Sequence, residues 1–180
     1  MKLFACYLGG EFPGCRIEAH DVAFCVGHAI EACYESIRAQ WPGVQQGLHI
    51  DAYAVLERVD GYRIILHPDS AAFKPASQRP QLYFINLGGY QPNDFSERHQ
   101  TGFFVADSPD EAKRRAKQCL GGNLDCLHTD DIWDIDDCLA LNDHLPGYTI
   151  ELVPDAGPCA GMTVTCGYFL LPEQTGVVAV

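Results

Sequence analysis

Two imidazoles and two carboxylates recur in fixed order along this chain. Glu18 and His20 stand two residues apart, as do His49 and Asp51, and the set returns as Glu97 and His99 with His128 and Asp130. In an extended segment residues i and i+2 point to one side, so each pair shares a face. A histidine oriented by a carboxylate is the minimal general base. Two of each, if they converge, make a donor set suited to a divalent metal such as zinc or iron. The plainer reading is that they are satisfied structural pairs, because a polar group at a buried rim must find a hydrogen-bond partner.

The recurrence is part of a longer duplication. Residues 3 to 51 repeat at an offset of 79, with 13 identities in 49 positions, against roughly 3 expected by chance. Leu8-Gly9-Gly10 returns as Leu87-Gly88-Gly89, and Leu48-His49-Ile50-Asp51 as Leu127-His128-Thr129-Asp130. The register then slips by seven residues and resumes, Gly61-Tyr62 matching Gly147-Tyr148. This divides the chain into repeat one (1–68), a Pro- and Ala-containing linker (69–80), repeat two (81–154) and an extension (155–180) expected to add one further strand. The loop from Gly-Gly to Glu-x-His has the same length in both copies. Surface loops drift in length cheaply, so its geometry is held.

Each copy reads as ββαββ. The apolar runs Leu3–Leu8 and Leu82–Leu87 are strands that Gly-Gly is expected to end in a turn. Val22–Val26 and Thr101–Val105 are second strands. In copy two, Ser108, Pro109 and Glu111 form a helix start with the features of a capping box. Copy one shows its helix through Ile30, Cys33, Tyr34, Ile37 and Trp41, but with a weaker cap. Tyr53–Val59 and Tyr62–Leu66 flank Asp60-Gly61, a two-residue hairpin signal. In copy two Asn142–Gly147 replaces that turn and is taken to absorb the seven extra residues.

The net charge of −12 argues against nucleic acid and anionic membrane surfaces, which attract basic patches. The basic run Lys113-Arg114-Arg115-Lys117 reads as a solvated helix face. Nine cysteines show no Cys-x-x-Cys spacing, and Cys6, Cys25 and Cys33 fall at apolar positions where a thiol acts as a small hydrophobe. With no signal-peptide pattern, a reducing cytoplasm fits. The acidic run 130–137 lacks the glycine of a calcium loop. No phosphate loop or nucleophile elbow occurs, and no residue pattern names a cofactor.

The order Leu-Gly-Gly, Glu-x-His, Phe-x-Val, helix, Leu-His-x-Asp resembles a small, mainly bacterial family, domain of unknown function 1543, in two tandem copies. That resemblance implies a duplicated fold and lends no catalytic residue. A single-copy relative would be expected to pair as a dimer that this chain mimics internally.

The expectation is therefore an α+β protein, two ββαββ repeats about a pseudo-two-fold axis, with a largely antiparallel sheet and helices on one face. Its expected role is to bind a small molecule, or serve as a structural module, through up to two metal-free polar pockets. As a monomer with an internal pseudo-dimer, or a weak homodimer, it would need neither nucleic acid nor membrane. The alternative is an enzyme (lyase, isomerase or metal-assisted hydrolase) using Glu18, His20, His49, Asp51, Glu97, His99, His128 and Asp130.

Overall fold

The apolar run at the head of each copy becomes the middle strand of a sheet. The structure, a computed structural model, describes residues 1–71, 73, 80–90, 93–120, 133–155, 157 and 162–172. It forms two compact units, Met1–Glu57 with Gly161–Val180, and Arg58–Ala160. Every described strand pairing is antiparallel, and the chain is α+β.

In the first unit, β1 (Lys2–Gly10) lies between β2 (Ala19–Gly27) and β3 (His49–Val55), and β10 (Val164–Leu170) pairs on the far side of β3. Alternation along β1 and β2 sends Phe4, Cys6, Leu8, Ala23 and Cys25 to one face. There they meet Ile30, Cys33, Ile37 and Trp41 of the helical segment. That segment starts as a 3-10 turn, Ile30–Cys33, and becomes α1 only at Tyr34–Gln40. Neither start has a side-chain cap, so packing of its apolar stripe holds the helix. Fully buried Ile37 alone contributes about 1.5–3 kcal/mol.

In the second unit, β6 (Gln81–Gly89) lies between β7 (Arg98–Ala106) and β8 (Trp133–Ala140). Here α2 (Pro109–Leu120) is well capped. The Glu111 N–H donates to Ser108 Oγ at 3.2 Å, and Glu111 Oε2 accepts from the Asp107 N–H at 3.0 Å. A second sheet joins β4 (Arg58–Val59), β5 (Tyr62–Pro68) and β9 (Tyr148–Pro154). Asp60 and Gly61 at the β4–β5 turn both have positive φ, 51° and 79°, as a type I′ hairpin demands.

Three local expectations change. Tyr53–Val59 is not one strand: β3 stops at Val55, and the Leu56 N–H turns to the Leu3 carbonyl. Gly9-Gly10 does not end β1 in a turn either. Both residues lie within the strand, paired with His20 and Ala19, and positive φ is absent from both. They are needed for close approach: a Cβ on Gly10 would meet Trp41 Cζ2 at 2.7 Å. The third change concerns the seven extra residues. Gly9 pairs with His49 on β3, but Gly88 pairs with Asp134 on β8, an offset of 85 (134 against 49). Both pairings carry a register shift at the same place, Tyr7/Leu8 and Asn86/Leu87. Most of the insertion therefore precedes β8, and the Asn142–Gly147 turn absorbs little of it.

Cys6 and Cys25 approach to 3.9 Å between sulfurs and are buried, as is Cys33. A hydrogen bond with Cys25, and then burial, push the Cys33 thiol far up. Thiolate is the reactive form. Brief iodoacetamide treatment of the native protein should thus label exposed Cys15, Cys119 and Cys166 and spare Cys6, Cys25 and Cys33. Peptide mass spectrometry showing equal labelling of these three before and after denaturation would contradict the buried cluster.

Candidate functional site

The face of the first sheet opposite α1 carries the polar set. Its centre is Gly9, which pairs with His20 on one neighbour and His49 on the other. Antiparallel neighbours lie about 4.8 Å apart, so the two imidazoles rise on either side of a position with no side chain. A Cβ on Gly9 would lie 2.5 Å from His49 Nε2 and 2.9 Å from Asp51 Oδ2. The imidazole of His49 and the carboxylate of Asp51 fill the space that a side chain at Gly9 would take.

Each carboxylate spans both imidazoles. Glu18 reaches His49 Nε2 with Oε1 at 3.3 Å and His20 Nε2 with Oε2 at 3.7 Å. Asp51 reaches His49 Nε2 with Oδ1 at 3.2 Å and His20 Nε2 with Oδ2 at 3.5 Å. The result is an alternating ring, Glu18–His20–Asp51–His49. Its contacts are longer than the about 2.7–2.9 Å of a charge-assisted hydrogen bond.

The ring is held from outside. His49 Nδ1 lies 2.9 Å from the Gly47 carbonyl oxygen. That oxygen can only accept, so Nδ1 carries a proton and Nε2 is turned to the carboxylates. Gly47 presents its carbonyl from φ +76°, where glycine is unstrained. The His49 side chain is only 4% exposed, and the Tyr168 ring of β10 lies 4.1 Å from its ring. Tyr7 stacks on His20 at 5.2 Å. Burial, and then the Asp51 charge, push the Tyr7 phenol up, which keeps it a neutral hydrogen-bond donor.

Glu18 sits at the end of the fixed-length loop, just before β2. Gly14 in that loop has φ +86°, and Asn93, its counterpart at the 79-residue offset, has φ +72°. Asparagine tolerates the left-handed region better than most residues, so the same turn survives in both copies.

In the second unit, His99 Nε2 lies 3.9 Å from Glu97 Oε2, and Asn86 Nδ2 lies 3.4 Å from His99 Nδ1. Asn86 stands where the first copy has Tyr7. His128 and Asp130 lie outside the described residues. The backbone register gives their expected place opposite Gly88 to Asp134.

The sequence reading missed the close approach over Gly9, and also Tyr7, Gly47 and Tyr168. Tyr7 could have been noticed as the residue two before Gly9 on the same face. Tyr168 lies more than a hundred residues from His49, and no local signal links them.

Two stretches of the chain, 15–66 and 94–152, match the family described as Domain of Unknown Function (DUF1543). Together they cover more than half of the chain. It belongs to this DUF1543 family. The two matches agree with two tandem copies of the unit. The DUF1543 chain is also similar to a solved structure, that of a protein Il1583 from Idiomarina loihiensis. The two share 33% identity over 96% of this chain and 98% of the other, with a TM-score of 0.70. No curated protein matches it. In this family member no helix among the described residues is long and apolar enough to cross a membrane.

Proposed function

We propose that this protein binds a small polar ligand in the first unit, in a pocket lined by Glu18, His20, His49 and Asp51. The observation that carries this reading is the bridging of both imidazoles by both carboxylates. Two carboxylates turned toward each other's partners repel when ionised. A purely structural arrangement would separate them or give each its own donor. Functional sites hold such groups together at the expense of stability.

A second reading, an enzyme, is favoured by His49. Its Nδ1 is anchored on the Gly47 carbonyl, so its Nε2 presents one fixed proton-exchange position beside two carboxylates. That is the arrangement of an oriented general base. The reaction would be a proton transfer on a substrate that meets the ring from the exposed side of Glu18 and His20.

Glu18 and His20 are the members to test, because their side chains are 46% and 39% exposed, and truncating them opens no core cavity. Glu18→Gln and His20→Ala should each change the unfolding free energy by less than about 0.5 kcal/mol, or raise it. Urea titration followed by tryptophan fluorescence reads this directly. Losses of about 1–3 kcal/mol in both variants, the cost of orphaning a buried partner, would mean that the pairs are structural.

A further inference from the structure

We infer that β10 is the surface on which a second copy of this chain docks, strand against strand, in a two-fold dimer.

A strand at the end of a sheet presents unpaired N–H and C=O groups, and folded chains blunt such strands with charge, proline, shortness, a bulge or a covering group. The first sheet ends at β2 and β10. On β2 the Gln40 side chain takes the place of a neighbouring strand. Its Oε1 accepts from the Phe24 N–H at 3.1 Å, and its Nε2 donates to the Phe24 carbonyl at 3.0 Å. In the second unit β7 is closed in the same way. The Val105 N–H donates to Asp60 Oδ2 at 2.8 Å, and Arg115 Nη1 donates to the Val105 carbonyl. On β9 the Ile150 N–H donates to Asn142 Oδ1 at 2.7 Å, and the strand ends in Pro154. β4 has two residues, one of them Arg58, and β8 brings Asp134, Asp136 and Asp137.

Among the described edge strands β10 alone carries no charge, proline or capping side chain. Its outer side has no described strand partner. Of its seven residues, Val164–Leu170, all but Phe169 are exposed. Val164, Tyr168 and Leu170 are 46, 67 and 56% exposed, and valine, threonine and aromatic residues suit a pleated, half-buried surface. The strand is thus a ready template for one more.

Charge selects a second copy as that strand. A chain of net charge −12 repels its own kind over most of its surface, whereas β10 is neutral throughout. In an antiparallel two-fold pair a strand meets its own image, so a charged strand would risk setting like charges opposite each other. With the axis at Gly167, Val164 faces Leu170 of the second copy, Thr165 faces Phe169 and Cys166 faces Tyr168. Apolar and aromatic pairs of this kind stabilise a ladder. The register shift in the β3–β10 ladder falls between Cys166 and Phe169, around that axis, so both copies bend alike there. A ladder of seven residues lies at the low end of interface size, under about 1,200 Å². The dimer is therefore weak, with dissociation in the range of roughly 10 μM to 1 mM.

The test is static light scattering of the full chain under reductant, from about 10 μM to about 1 mM. The wild type should rise toward twice the monomer mass. Val164→Lys/Leu170→Lys and Val164→Glu/Leu170→Glu put like charges across the axis at exposed positions. Each should stay monomeric with the wild-type circular dichroism and thermal midpoint. A 1:1 mixture of the two should regain the dimer, because lysine then faces glutamate. Both variants are net acidic, so bulk charge does not explain a recovery. A wild type that stays monomeric to about 1 mM overturns the second copy as occupant and leaves an extended peptide of another protein as the strand that fits. A dimer that survives in both variants, or a mixture that does not recover it, overturns pairing through β10.

Discussion

Gly9→Ala should destabilise the first unit by about 1–3 kcal/mol, the usual cost of forcing a group into filled space. The sign is informative, because the backbone argues the other way. Gly9 lies inside β1 and is not among the residues with positive φ, so alanine in a strand would ordinarily gain a few tenths to 1 kcal/mol over glycine. The new Cβ would sit 2.5 Å from His49 Nε2, 2.9 Å from His49 Cε1 and 2.9 Å from Asp51 Oδ2. His49 cannot swing away cheaply, being pinned by the Gly47 carbonyl on one side and the Tyr168 ring on another. Urea unfolding of the single variants and of Gly9→Ala/His49→Ala separates the causes. If the clash is the cause, the double variant is more stable than the sum of the singles predicts, by at least about 0.5 kcal/mol. Additive effects, or a Gly9→Ala protein as stable as wild type, would show that the position needs no vacancy.

That vacancy marks where the sequence stopped being readable. The first two strands of each copy, both helices and the Asp60-Gly61 turn were legible because apolar period, caps and turn residues act over a few positions. Spacing by two put Glu18 with His20 and His49 with Asp51 on shared faces. It could not bring the two pairs together, because that depends on Gly9 facing His20 across one ladder and His49 across the other. Cross-strand register is fixed by distant pairing and buried faces, and no window of local sequence contains it. The same limit hid the backbone partner of Gly88, which is Asp134 where Gly9 has His49. Identical residues set an offset of 79, whereas the strand ladder sets 85. Residue identity outweighed pairing in the sequence reading because only identity was visible. The reading of Gly-Gly as a turn failed for a related reason. Glycine serves both positive φ and close approach, and only the neighbours, Trp41 behind Gly10 and His49 over Gly9, say which.

Arg38 should prove the most costly single truncation outside the hydrophobic core. It is only 7% exposed and spreads its guanidinium over carbonyls far apart in sequence. Nη1 donates to the Gln45 carbonyl at 3.3 Å and to Gln45 Oε1 at 3.2 Å. Nη2 donates to the Leu171 carbonyl at 2.7 Å and to that of Pro172. A hydrogen bond to a charged group contributes about 1.5–3 kcal/mol, and a buried acceptor left alone costs its full desolvation. Since these bonds act as one unit, Arg38→Met should cost about 3 kcal/mol in total rather than their sum. Methionine keeps the apolar stem, so the loss reports the guanidinium and not the packing. Arg38→Lys retains the charge but cannot fork toward two segments, and should fall between the two. The consequence is local before it is global. The guanidinium ties the end of β10 to α1, and the Leu171 N–H donates to the Leu48 carbonyl next to His49. Cutting that tie should speed amide exchange along β10, at Leu171 first, under conditions where β1 and β2 keep their protection. Because Tyr168 lies on the same strand and covers His49, the pocket would open along with it. Unchanged exchange at Leu171 in Arg38→Met would show that β10 is held by its ladder with β3 alone.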